Sequence, residues 1–215
     1  MGDEFVLNGG DLAKRGARDI MLAPALSQIE DYWNSVRGAR LVPARSEIDP
    51  THLKAVLGYT FIAERSSTGR PKLRITGSHF AKIIGTEPRG LPLSGAFEFE
   101  SRNTLIEACD AVFDEPAMVR LSVSVNNVSG LQTTAGTMVM LPLRSDMGDV
   151  TRLLGGIALD RVPRDVPCRL NVTGQWRKTL VGYADAPARL TPIPKTPRRA
   201  SSRRTGHLKL VVDNT

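Results

Sequence analysis

Three strand-like segments follow one another between Met118 and Leu159, and their spacing implies an antiparallel meander. In the first, Val119, Leu121, Val123 and Val125 alternate with Met118, Arg120, Ser122, Ser124 and Asn126, so one face is apolar and the other polar at a period of two. A turn containing Ser129 and Gly130 leads to residues 136–143, and a second turn at 145–148 leads to 153–159. Upstream, the aromatic and β-branched run 59–64, the turn residues of 66–71 and the return at 73–76 predict a β-hairpin. Five antiparallel strands are therefore expected, two before and three after a stretch where the strand signal lapses.

That stretch, 77–116, alternates short helical pieces with breakers. Phe80, Ile83 and Ile84 form the first piece, closed by Gly85, and Pro88, Gly90 and Pro92 punctuate a loop. A longer helix opens at 101–104, groups Leu105, Ala108, Cys109, Val112 and Phe113 on one face, and stops at Pro116. Ahead of the hairpin, Leu22, Leu26, Ile29, Trp33 and Val36 recur at spacings of four, three, four and three, one stripe of an amphipathic helix. Pro24 suits its first turn and Gly38 the position just past its end. Two prolines in 41–50 then hold an extended path, and Asp49 and Pro50 open a short helix carrying Leu53, Val56 and Leu57. The expected fold is α+β: a five-stranded antiparallel sheet with inserted short helices and an N-terminal amphipathic helix, one sheet face solvated and the other covered.

This order of elements resembles the PAS fold. Tyr32-Trp33 with Arg37 and Arg40, followed by Pro43, Arg45, Asp49 and Pro50, resembles the opening signature of a bacterial PAS family of stand-alone proteins. Arg74-Ile75-Thr76-Gly77-Ser78 and the stretch from Gly85 to Gly90 are similar to its second-strand and first-helix motif, and Met140-Leu141-Pro142-Leu143 with Gly155 to its closing hairpin. The resemblance covers about residues 26–159. It implies a sensor module whose sheet and helical flank enclose a pocket, acting without catalysis in signalling through a small-molecule ligand or a protein partner, as a homodimer.

No particular cofactor is implied. Haem in such a pocket takes an axial histidine from the long helix, and residues 103–113 contain none; His52, His79 and His207 all lie elsewhere. Photoactive flavin needs a reactive cysteine in an Asn-Cys-Arg-Phe-Leu-Gln type motif, which Cys109 in Glu107-Ala108-Cys109-Asp110 does not resemble. Haem and photoactive flavin are disfavoured, and a small-molecule ligand of unidentified chemistry stays open. Cys109 and Cys168 have no short spacing to each other or to a histidine, so neither a disulfide framework nor a metal site is expected. No phosphate loop, nucleophile elbow or zinc-protease motif is present. Glu98 and Glu100 flank Phe99 and read as solvated, which leaves a small α+β enzyme with a pocket general base as a weaker alternative. Arg40 and Arg45, near Asp49, either bind an anion or make a bidentate salt bridge that pins the N-terminal helix to the domain. Tyr32 and Trp33 either line a ligand site or pack against the sheet or another subunit.

The net charge of +7 divides unevenly. Beyond residue 163 stand 11 Lys+Arg against three acids, so all of the excess lies there and the first 163 residues are near neutral. The expected organisation is a loose leader at 1–19, a PAS-like domain at 20–163, an extension packed on it at 164–186, and a basic, Pro/Arg/Ser-rich disordered tail at 187–215. Arg198, Arg199, Arg203 and Arg204 would be attracted to any polyanion, so the alternative function is a PAS-like dimerisation domain whose tail binds nucleic acid or an anionic membrane surface. No apolar run approaches the roughly 18–20 residues of a transmembrane helix, and Asp3 and Glu4 stand where a secretory signal is basic. A cytoplasmic location is expected.

Overall fold

A computed structural model describes residues 4–7, 19–85, 87–126, 133–161, 163 and 166–182. A short strand β1 (Glu4–Leu7) precedes helix α1 (Asp19–Arg37). Three single-turn 3-10 helices between 45 and 59 lead to the hairpin β2 (Thr60–Arg65) and β3 (Pro71–Thr76). Helices α2 (Ser78–Ile84) and α3 (Arg102–Asp114) follow, then β4 (Ala117–Asn126), β5 (Thr133–Arg144), β6 (Val150–Leu159) and β7 (Asn171–Thr179). The sheet order is β1-β7-β4-β5-β6-β2-β3, every neighbouring pair antiparallel.

The five expected strands are β2 to β6, with the helices inserted after the second, as the sequence pattern predicts. Two further strands widen the sheet on the β4 side. Strand β7 lies within the 164–186 extension and pairs along β4 from Ala117↔Thr179 to Ser124↔Asn171. Strand β1 falls in the stretch expected as a loose leader, whose residues 8–18 lie outside those described. Helix α1 begins at Asp19, so Pro24 sits in its second turn, with its ring exposed, and not in its first.

Alternation along the strands divides the interior in two. Phe61, Leu73, Val119, Leu121, Val123, Met138, Met140, Leu153 and Ile157 point to the side covered by α2 and α3 and pack with Phe80, Ile83, Leu105, Ala108, Cys109 and Val112. The end of β2 is tied to α3 by Arg65, which donates to Asp114 at 2.6 and 2.7 Å and to Asp110 at 3.1 Å, its guanidinium 4.9 Å from the Phe113 ring.

The second face is not solvated, which corrects the expectation from sequence. Ile62, Met118, Val139, Leu141, Leu143, Leu154 and Ala158 lie on it, and Leu26, Ile29 and Trp33 of α1 cover them. The physical reason is that β5 and β6 are apolar on both faces, as strands buried on two sides must be, while α1 has one apolar stripe that needs a surface. In β4 the second face looks polar in sequence, and there Arg120 meets α1 as a charge partner. Its guanidinium donates through Nε at 2.6 Å and through a second nitrogen to the Glu30 carboxylate, and stacks 5.2 Å from the Trp176 ring of β7. Glu30 is 6% exposed.

The helix meets the sheet closely over β6. A Cβ placed on Gly156 would lie 2.8 Å from Ile29 Cδ1 and 2.9 Å from Leu26 Cδ2, so a side chain there forces the tips of these two residues of α1 to shift. On the opposite face, a Cβ on Gly155 would fall 2.1 Å from Cζ of Phe61.

Removing one partner of the Glu30–Arg120 pair leaves a carboxylate with little access to water. Arg120→Met is expected to lower unfolding free energy by about 3 kcal/mol, and adding Glu30→Gln to recover most of that loss. A double-mutant cycle in urea measures both.

Candidate functional site

The residues of the opening signature assemble at the C-terminal half of α1 and the connection after it. Trp33 is fully buried, and its indole N–H donates to the Pro142 carbonyl of β5 at 3.0 Å. The Tyr32 hydroxyl accepts from the Asp49 N–H at 2.8 Å and donates to the Asp49 carbonyl at 3.2 Å, its ring stacked 5.6 Å from His52. Asp49 caps the next turn by accepting from the Thr51 N–H at 2.8 Å, with Pro50 at the first position. Arg37 donates to the carbonyls of Leu41, at 3.0 Å, and Val181, and lies over the Trp33 ring at 5.7 Å. The Pro43 carbonyl accepts from the Arg144 N–H at 3.0 Å, joining the connection to the end of β5.

Arg40 and Arg45, equivalent in sequence, part company here. Arg40 holds Glu47 in a bidentate pair at 2.8 and 2.9 Å and donates to the last carbonyls of α1, Val36 at 2.6 Å and Arg37 at 3.2 Å. It is the pin between helix and connection, with Glu47 as its acid in place of Asp49. The guanidinium beside it helps hold the Glu47 carboxyl below its ordinary range despite partial burial. Arg45 is half-buried, and its side chain makes no hydrogen bond or ion pair among the described residues.

Arg45 faces a pocket of about 360 Å³ lined also by Ser46, Ile62, Glu64, Arg74, Ile75, Asp146 and Arg152. It lies on the α1 side of the sheet, where β6, β2 and β3 run side by side: Ile62↔Ile75 and Glu64↔Arg152 are direct cross-strand neighbours. Arg74 donates to Glu64 at 2.7 Å, whereas Arg152 reaches it only at 3.4 Å. Arg74 and Arg152 thus share the Glu64 carboxylate, Arg45 and Asp146 line the pocket without an ion pair between them, and Ile62 and Ile75 supply its apolar lining, Ile75 being 50% exposed.

The space between the sheet and α2–α3 holds Phe61, Phe80, Phe97, Leu105 and Met138 with no exposed surface. Cys109 sits among them, its thiol donating to the Met140 sulfur at 3.8 Å and pushed up to about 12 by burial, which makes it a packing group and not a nucleophile. His79 of α2 tilts against the Tyr59 ring at 4.9 Å, and its buried Nε2 has no hydrogen-bond partner among the described residues. Gly77 lets the entry to α2 approach closely: a Cβ there would lie 2.3 Å from the Gly58 carbonyl oxygen. Gly85 ends α2 at φ +73°, a left-handed conformation that glycine adopts without strain.

Of the residues singled out by sequence, Tyr32, Trp33, Arg37, Arg40, Pro43, Asp49 and Pro50 come together at the helix–sheet seam. Arg45 and Arg74 meet in the pocket, and Gly77 and Gly85 bracket α2. Arg198, Arg199, Arg203 and Arg204 lie outside the described residues. Glu30, Glu47, Glu64 and Arg152 escaped sequence reasoning. A signal existed only for Glu47, three residues from Ala44, whose N–H its carboxylate accepts at 2.8 Å in a capping-box arrangement.

The family model described as PAS domain matches residues 21–158. No curated protein matches the chain.

Burial holds the His79 imidazole below its ordinary value of 6.5. As pH falls below that value the unfolded chain takes up a proton that folded His79 still refuses, so stability drops through this window and levels off once the folded form also protonates. His79→Gln is expected to flatten the slope of unfolding free energy between pH 7 and 5, measured by chemical denaturation at each pH.

Proposed function

This chain belongs to the PAS domain family, a sensory and regulatory family, and on that premise we propose that it is a non-catalytic signalling adapter whose helix α1 carries the output to a second protein chain. The observation that supports this reading is the seam of α1. One helix is fastened at its middle to β4 through Glu30 and Arg120, at its last turns to β5 through Trp33, and at its end to the following connection through Arg40 and Glu47. A shift in the sheet is therefore felt along the whole helix.

The outward side of α1 carries Ser27, Gln28, Asp31, Asn34 and Ser35, all exposed. A partner meeting the helix here uses polar contacts, as in a reversible regulatory interface rather than an obligate one. In this reading the partner is a second copy of the chain, which makes a homodimer. No helix among the described residues is long and apolar enough to cross a membrane.

Gly156→Val crowds Leu26 and Ile29, the side chains that seat α1 on β6, and is expected to weaken self-association at least fivefold. Light scattering over a concentration series measures the dimer, and circular dichroism confirms that the sheet persists. A wild-type chain that stays monomeric at every concentration removes the homodimer.

A second reading follows from the charge partition, which places an excess of +8 beyond residue 163. Here the domain dimerises and the tail holds a polyanion. DNA binding that falls steeply with salt and vanishes on truncation after Pro187 is its expected signature; absence of binding at low salt eliminates it.

A further inference from the structure

We propose that the pocket at Arg45 binds a small organic anion, a carboxylate or phosphate ester bearing a short apolar group. The inference deepens the sensory reading, on which its signalling consequence rests, by naming a ligand class and a place for it outside the space between sheet and α2–α3.

Four observations converge on this chemistry. First, the half-buried Arg45 side chain has no hydrogen-bond or ion-pair partner among the described residues. A ligand oxygen would supply what is missing. Second, the pocket has a formal excess of one positive charge, from Arg45, Arg74 and Arg152 against Glu64 and Asp146. Third, Arg152 contacts Glu64 only at 3.4 Å, so it can turn toward an incoming oxyanion without giving up a short ion pair; Arg74, at 2.7 Å from the same carboxylate, keeps Glu64 neutralised meanwhile. Fourth, the floor is apolar. Ile75 leaves half its surface open beside these arginines, which favours an anion carrying hydrocarbon over a bare inorganic ion. At about 360 Å³ the volume lies toward the small end of ligand sites, typically about 300–1,000 Å³.

The position links binding to α1. Arg45 and Ser46 belong to the 3-10 turn Arg45–Glu47, whose last residue is the acid that Arg40 holds. An anion drawing Arg45 into the pocket pulls on the turn that fastens the end of the helix.

The test uses the full chain at constant ionic strength, titrated with butyl phosphate, butyrate and inorganic phosphate, and followed by calorimetry and by amide chemical shifts. Butyl phosphate or butyrate is expected to bind saturably, more tightly than inorganic phosphate, with shifts confined to residues around 45, 62, 75 and 152. Arg45→Gln should weaken binding about tenfold or more with an unchanged melting temperature. Asp146→Asn should strengthen it about threefold by removing a competing carboxylate. Replacing Arg198, Arg199, Arg203 and Arg204 with Gln should leave it unaltered. Affinity that survives Arg45→Gln, or that disappears with the tail arginines, overturns the proposal, as does shift scatter indistinguishable from that of added chloride. Failure of all three probes while the Gly156→Val dimer measurement behaves as expected removes the ligand and leaves the α1 reading standing.

Discussion

Trp33 crosses the seam between α1 and the sheet, and much else is arranged around it. Its ring is fully buried while its N–H finds the Pro142 carbonyl in β5, so one side chain combines a large apolar burial with a satisfied polar group. Truncating a residue of this kind typically costs about 3–5 kcal/mol, a large fraction of the stability of a domain. The neighbouring interactions depend on that seat. Glu30 reaches Arg120 only because the helix lies flat on β4 to β6, and Leu26 and Ile29 settle on Gly156, where no side chain intervenes. A sheet left bare on this face would expose Ile62, Val139, Leu141 and Leu154 to water.

The seam also changes the meaning of the signature residues. Most of them are fasteners. Tyr32 brackets Asp49, Arg37 satisfies backbone carbonyls at Leu41 and Val181, and Arg40 ties helix to connection through Glu47. Arg45 stands apart because it has the same charge and a similar burial but no ion-pair partner among the described residues. The division between Arg40 and Arg45 is what separates architecture from candidate recognition in this region.

On the other face, the space where a sensor of this family would hold a ligand contains tightly packed aromatic and aliphatic side chains around Phe61, Phe80 and Phe97. Its titratable member, Cys109, is held in the neutral form by burial. The pocket at Arg45, with its three arginines and two carboxylates, lies across the sheet on the side of α1. Sensing at Arg45 and output through α1 would then share one face, with a path of a single 3-10 turn between them.

Sequence by itself determined the local elements: the alternation of β4, the stripe of α1, the hairpin at β2 and β3, and the breakers Gly85 and Pro116 each act within a few residues, and local sterics and periodicity suffice to read them. It also carried the fold class and the signature that contains Trp33, Arg40 and Arg45. Only tertiary structure decided which sheet face α1 covers, that β7 widens the sheet beyond β4, and that Glu30 pairs with a residue 90 positions away. The pocket belongs to the same class, because residues 45, 62, 75 and 152 become neighbours through strand register and not through spacing along the chain. Two arginines five residues apart look alike in sequence because charge is a property of the side chain, whereas possession of a partner is a property of the fold.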